Sequence, residues 1–286
     1  MIRRLSLAAL AVTALTLAAC GGDDSSSEAS PSTEATGGDC PTITEGKLTI
    51  ATGNPAYSPW VENDAPESGE GYEAAVALAV AKELGYEGEN VVWVRTDFDA
   101  AIQPGAKDFD FNLQQYSITP ERAETISFSD PYYAGNQAIV ALAGSAAEGA
   151  TTVADLVDVK FGAQAATTSL AFITDVIKPT NEPFVYDDNA GAKAALEAGQ
   201  IDAIVVDLPT ALYISAVEIE GSSVIGQFPA SAGGTTDEFG FVFEKDNPLV
   251  ACVNTALATL KGNGSLDEFA KQWLSDNAGV PVISVD

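Results

Sequence analysis

The sequence predicts an α/β protein of two lobes, preceded by residues 1–39, which take no part in the fold. Three observations carry this. Short runs rich in Val, Ile and aromatics alternate with segments of helical period, which argues for strands crossed over by helices in parallel sheets. The alternation occurs twice, once up to about residue 136 and again from Ala138 to about Thr235. Before both lies an apolar N-terminal stretch and then a segment without large apolar residues.

Taken in order, Lys47-Leu48-Thr49-Ile50-Ala51 reads as a strand, and Gly53 to Pro59 as a loop with two prolines. Gly71 to Gly85 reads as a helix, because Tyr72, Val76, Val80 and Leu84 recur every four residues and Gly85 suits its C-terminal cap. Val91 to Val94 is a second strand, Asp97 to Gly105 a short helix, and Phe109 to Leu113 a third strand. Thr119-Pro120-Glu121-Arg122 reads as a helix start, with Thr119 capping and Pro120 in the first position. Arg122 opposes the dipole there, so its placement needs a reason outside helix stability. In the second run, Phe161 to Ala163 is strand-like and Ser169 to Ile177 helical, stopped by Pro179. Asn189 to Leu196 is a helix closed by Gly199, Ile201 to Val206 a buried strand, and Pro209 to Val217 a helix. Asn247-Pro248 opens a helix in the tail, and Ser265 to Glu268 reads as a capping box opening another, with Phe269 and Trp273 on one face.

The N-terminus has Arg3 and Arg4, an apolar run, and the ending Leu17-Ala18-Ala19-Cys20. A charged start, a short apolar core and small residues before a cut site describe an export signal over residues 1–19. The ending resembles a bacterial lipoprotein signal, which implies lipidation of Cys20 and anchoring to the cell membrane outside the cytoplasm; an ordinary secretory signal is the alternative. Residues 20–39 read as a flexible tether. The formal charge is −28, and loss of Arg3 and Arg4 makes it −30. Such a chain repels nucleic acid and anionic lipid surfaces. It contains no histidine, which removes the commonest metal ligand and the usual general base; no metal and no cofactor are expected. With Cys20 lipidated, Cys40 and Cys252 remain, and in an oxidising compartment they are expected to form a disulfide; two buried thiols are the alternative.

Four separated clusters share one resemblance: Gly71-Tyr72-Glu73 with Lys82-Glu83-Leu84-Gly85; Ser117 to Arg122 with Phe128-Ser129-Asp130-Pro131-Tyr132; Gln164 to Ser169; and Gly199 to Asp207. Together, over residues 45–277, they resemble the family 3 extracellular solute-binding proteins, the amino-acid receptors of ABC importers. The resemblance implies a periplasmic-binding-protein type II fold, two α/β lobes joined by two hinge strands that close on a ligand. Lobe 1 is expected over 41–136 and 236–286, lobe 2 over 137–235, with Phe239 to Phe243 as the strand returning to lobe 1. It further implies a monomer that captures an amino acid or related small zwitterion and delivers it to a permease.

Residue by residue, the resemblance implies that Arg122 holds the α-carboxylate, for which a guanidinium is a planar two-pronged donor. A surface pairing with Glu121 or Glu124 is the alternative. Ser117 and Thr168 would contact the same carboxylate, with local turn or capping roles as alternatives. Asp207 would receive the ammonium group, unless it caps the helix that follows. Phe98 and Tyr57 would wall the side-chain pocket, and Trp60 the mouth. Asn54 stands where relatives selecting cationic side chains carry aspartate, and Gln114 and Gln115 stand where small residues are usual. Ala166 replaces a common glycine. These departures suggest a polar, uncharged amino acid or a modified derivative of one. The rival readings are an enzyme on the same scaffold, dehydratase-like or murein-cleaving, or a ligand-sensing module. Retention of both Arg122 and Asp207 favours a binding protein without catalysis, and the lack of a transmembrane stretch after Asp39 argues against the sensor.

Overall fold

The structure is a computed structural model in which residues 40–274 and 279–286 are described. The export signal 1–19, Cys20 and the tether 20–39 lie outside the described residues. From Cys40 onward the chain runs through β1 (Leu48–Thr52), α1 (Tyr72–Glu83), β2 (Val91–Arg95), α2 (Phe98–Ala101), β3 (Phe111–Asn112), β4 (Ile126–Phe128) and β5 (Tyr133–Leu142). It continues with β6 (Phe161–Gln164), α3 (Thr168–Phe172), β7 (Phe184–Tyr186), α4 (Asn189–Glu197), β8 (Ala203–Asp207), α5 (Leu208–Tyr213) and β9 (Ser222–Phe228). It ends with β10 (Thr236–Phe239), β11 (Val242–Glu244), α6 (Leu249–Gly262) and α7 (Ser265–Trp273).

These elements build two mixed sheets, one per lobe. The first has the order β2-β1-β3-β11-β4; the second has β10-β5-β8-β6-β7, with β9 also on β5. Alternation predicted parallel sheets, and β1 is parallel to β2 and β3, as β6 is to β7 and β8. The antiparallel members follow from the chain crossing between lobes twice. β5 enters lobe 2 against β8 and β9, and β11 re-enters lobe 1 against β3 and β4. The two crossings lie side by side, since β10 pairs with the first half of β5. The expected single strand from Phe239 to Phe243 is interrupted. Gly240 leaves the ladder to donate to the Tyr116 carbonyl, so β10 ends in one sheet and β11 starts in the other.

Local sequence explains the elements that frame the cleft. β1 has all five residues buried, as expected for a strand flanked on both sides and covered on both faces. α1 turns Tyr72, Val76 and Val80 inward and ends at Gly85, which takes the left-handed conformation (φ 88°). Gly71 before it has φ 101°, and a Cβ there would lie 2.5 Å from the Trp60 carbonyl oxygen, so no larger residue fits. Two local expectations fail. Thr119 does accept from the Arg122 N–H, but Glu121 holds the cap position and the helix is one 3-10 turn over Arg122–Glu124, because β4 claims the chain from Ile126. Ser265 does not cap α7: Gly264 occupies that position in the left-handed region with no side-chain cap, and Ser265 is the first helical residue.

The cores are separate. Leu48, Ile50, Phe111, Phe241 and Phe243 pack with α1, α6 and α7 in lobe 1; Phe161, Phe172, Val205 and Phe228 pack in lobe 2. The sequence placed all of 236–286 in lobe 1, and the last residues depart from this. Ile283 is fully buried in the lobe 2 core, and its N–H donates to the Gln227 carbonyl at 3.0 Å. Glycine at 226 leaves the space, since a Cβ there would lie 2.6 Å from Ile283. Cys40 and Cys252 form the expected disulfide, tying the start of the folded region to α6 across a separation of 212 residues. Among the described residues, no helix is long and apolar enough to cross a membrane.

Candidate functional site

The strand ends and helix starts of both lobes face a cavity of about 400 Å³, within the usual range for small-molecule sites. All nine residues singled out as ligand contacts line it: Arg122, Asp207, Ser117, Thr168, Phe98, Tyr57, Gln115, Asn54 and Trp60. They come from loops and element ends spread along the chain from Asn54 to Asp207, so only the fold brings them together.

Arg122 is buried, at 9% exposure, and not paired to Glu121 or Glu124 at the surface. It donates to the Ser117 carbonyl and to the Ala166 carbonyl, both at 2.8 Å, the second across the cleft. Its guanidinium lies 5.5 Å from the centre of the Phe98 ring, which stacks on Tyr116 at 4.6 Å. This wall is rigid, because Tyr116 donates its hydroxyl to the Phe98 carbonyl at 2.9 Å. Burial lowers the tendency of the guanidinium to stay charged, which Tyr116, Asp237 and Asp207 oppose. Ala166 has φ 59°, the left-handed conformation that explains why glycine would be at ease there.

The capping alternatives for Thr168 and Asp207 both fail. Thr167, not Thr168, caps α3, accepting from the Leu170 N–H at 3.1 Å. Thr168 is therefore free to turn its hydroxyl to the cleft, where it lies 3.1 Å from the Ser117 hydroxyl of the other lobe and donates to Asp237 at 2.9 Å. Asp207 stands at the cap position of α5 but makes no side-chain cap there. Its carboxylate instead accepts from the Gln137 amide at 3.2 Å. Burial first, then the charge of Asp237, pushes Asp207 up to about 8.

Trp60 departs from expectation. It is 1% exposed and packs edge-on against Tyr72, Tyr133 and Phe239, so it is core as much as cavity wall. Its indole N–H donates to the Thr210 hydroxyl of lobe 2 at 2.8 Å. Tyr57 also bridges the lobes, with the Lys193 ammonium 5.0 Å from its ring centre. With the Arg122 and Ser117 contacts, these hold the cleft closed. Asn54 lies exposed at the lip.

Sequence reasoning missed Glu73, Gln137 and Asp237. Glu73, 2% exposed at the start of α1, accepts from the Gln115 N–H and side-chain amide and from the Tyr132 hydroxyl. It thereby holds Gln115 in the left-handed region (φ 52°), and burial pushes its carboxyl up to about 7. A carboxylate inside the otherwise apolar helix pattern of α1 was a visible signal. Nothing local marked Gln137 and Asp237. Among the described residues no group of His, Cys, Asp or Glu is arranged to hold a metal ion.

Comparisons with known proteins agree with the two-lobed fold. The chain is 28% identical over 238 residues to the lysine/arginine/ornithine-binding periplasmic protein of Escherichia coli (strain K12), covering 77% of this chain and 85% of that protein. It is 27% identical to the arginine-binding extracellular protein ArtP of Bacillus subtilis (strain 168), covering 96% and 99%. A solved structure of an ancestral arginine-binding protein bound to arginine superposes with a TM-score of 0.66 at 28% identity, covering 80% of this chain and 99% of that one. Residues 48–276 match the family described as bacterial extracellular solute-binding proteins, family 3, and the chain belongs to that family.

Proposed function

We propose that this protein is an extracytoplasmic receptor that captures an amino acid between its lobes by hinge closure and presents it to an ABC importer. One observation carries the reading. Arg122 from lobe 1 and Asp207 from lobe 2 face the same cavity, with the Ser117 and Thr168 hydroxyls meeting across the cleft. A guanidinium and a carboxyl group that face one small cavity suit a zwitterion. The guanidinium fork receives the α-carboxylate, and Asp207 receives the ammonium. Phe98 and Tyr57 then flank the ligand's side chain. Gln115, fixed by Glu73, and Asn54 at the lip complete the polar lining.

The side chain of that amino acid is cationic in this reading. Six acidic residues line the cavity (Glu73, Asp97, Asp99, Asp187, Asp188 and Asp207), against Arg122 as the one basic residue among the described lining. A cleft of one sign focuses its potential on the ligand. This replaces the uncharged ligand suggested by Asn54, because acidic residues missing at the lip are present around α2 (Asp97 and Asp99) and at the start of α4 (Asp187 and Asp188). Relatives named for arginine and lysine support it. Lipidation at Cys20, with residues 20–39 as tether, would keep the receptor beside its permease.

A thermal-shift screen of residues 40–286 against L-arginine, L-lysine, L-histidine, L-glutamine and L-glutamate tests both levels. A ligand at 100 times its Kd stabilises by ~2.7 kcal/mol, a rise of a few degrees in Tm. A shift with arginine or lysine is expected. A larger shift with glutamate overturns the cationic reading, and no shift with any amino acid overturns the receptor reading.

A further inference from the structure

The two ends of the cavity meet again behind it, on the hinge. Gln137 on β5 is 1% exposed, and both N–H groups of its amide are used. Its nitrogen donates to Asp207 at 3.2 Å and to Asp237 at 2.6 Å, and its oxygen accepts from the Ser169 hydroxyl at 2.7 Å. Two carboxylates from different strands thus share one amide group. The same oxygen of Asp237 that receives Gln137 also receives the Thr168 hydroxyl at 2.9 Å. Asp237 lies on β10, the returning crossing strand, beside Gly135 of the outgoing one.

We propose that Asp237 is a positioning residue for both ends of the ligand site, acting on Asp207 through the shared Gln137 amide and on the carboxylate end through Thr168. This rests on the amino-acid receptor reading for its ligand, though not for its chemistry. Burial, and then the neighbouring Asp237 carboxylate that shares its amide partner, favour the protonated form of Asp207. The other charged or titratable groups facing Asp207 are Glu73 on α1, Tyr132 before β5, Tyr133 at its start, and Arg122 across the cleft. Only Arg122 is cationic. Asp207 therefore keeps its proton in the empty site, and an entering ammonium group displaces it to solvent. Ligand capture is coupled to release of one proton, and the charge on Asp237 adds to burial in setting the coupling.

The experiment has an arm that needs no ligand. Carbon-13 carboxyl NMR of the unliganded protein, with Asp207 assigned by Asp207→Asn, follows its titration. Asp237→Asn keeps an oxygen for Thr168 and Gln137 but removes the charge, so the Asp207 midpoint is expected to fall by ~1 pH unit or more. An unchanged midpoint overturns the proposal. Should Asp237→Asn fail to fold, Asp237→Ser, which also lacks the charge, is read the same way. The second arm is calorimetry of L-arginine binding at pH 7 in phosphate and in Tris. Wild type is expected to release close to one proton per ligand, and Asp237→Asn clearly fewer; equal release in both overturns the proposal. If L-arginine does not bind wild type, the receptor reading fails for that ligand, while the NMR arm still decides whether Asp237 governs Asp207. A residue that only braces the hinge would change Tm and leave midpoint and proton release alone.

Discussion

Arg122 shows how one residue serves binding and folding at once. Its placement in a first turn is unfavourable, and the structure supplies the reason: the guanidinium spans from the Ser117 carbonyl to the Ala166 carbonyl of the other lobe. Arg122→Ala should weaken amino-acid binding by roughly 2–5 kcal/mol, as when one partner of a buried charge pair is removed. It should also cost about 1–3 kcal/mol of stability, because two carbonyls lose their donor. Calorimetric titration and urea unfolding separate the two; undiminished affinity would remove Arg122 from the site. Glu73 makes a second prediction. Its carboxyl sits at about 7 in the fold against 4.5 as its ordinary value, so the native state holds a proton that the unfolded state has lost between those limits. Stability contributed by this group is therefore highest below pH ~4.5 and falls as pH rises toward 7, the direction required when the native state binds more protons. Asp207 extends the same trend toward 8. The unliganded domain should be more stable at pH 5 than at pH 8, and Glu73→Gln should shrink that difference. Urea midpoints at the two pH values decide it.

At the scale of elements, the cleft depends on where helices begin. α1 can start against Trp60 only because Gly71 has no side chain, so Gly71→Ala should cost about 1–3 kcal/mol in backbone strain, with the clash against the Trp60 carbonyl added. A Tm unchanged within error would contradict this. α3 begins with adjacent threonines that divide the work, Thr167 capping and Thr168 facing the cleft. Thr167→Ala should lower stability by ~1 kcal/mol. The elements misread from sequence fail for one reason. Thr119 and Ser265 are sound local capping signals, but β4 starts too soon for the first helix, and the left-handed Gly264 between α6 and α7 takes the place of the second cap.

At the scale of the molecule, the two ends of the described region brace the fold. Cys40–Cys252 closes a loop of more than 200 residues, and α6 anchors its far end. Reducing it should cost about 2–5 kcal/mol, seen as a lower Tm in dithiothreitol; an unchanged Tm would mean the disulfide adds nothing to the constraint already made by packing. Closure is also a property of the whole, since Trp60–Thr210, Tyr57–Lys193 and Ser117–Thr168 each join residues from different lobes. The last residues cross back to fill the space beside Gly226, which the family-like order of elements gave no reason to expect.

From sequence alone came the α/β class, the two lobes, the cysteine pair and nine residues that prove to line one cavity. The α/β class and the two lobes rest on patterns carried by neighbours in the chain, such as helical period and glycine at a cap; the cysteine pair follows from an oxidising compartment, and the nine residues from the resemblance to a family. The export signal with Cys20 stays a reading of the sequence. Tertiary structure alone decided that the sheets are mixed, that Trp60 is core, that Glu73 locks Gln115, and that Asp207 and Asp237 share Gln137. Gln137 and Asp237 are 100 residues apart, and their meeting depends on two strands crossing side by side. Charge and burial at such a meeting come from the long-range path of the chain, which no local period encodes.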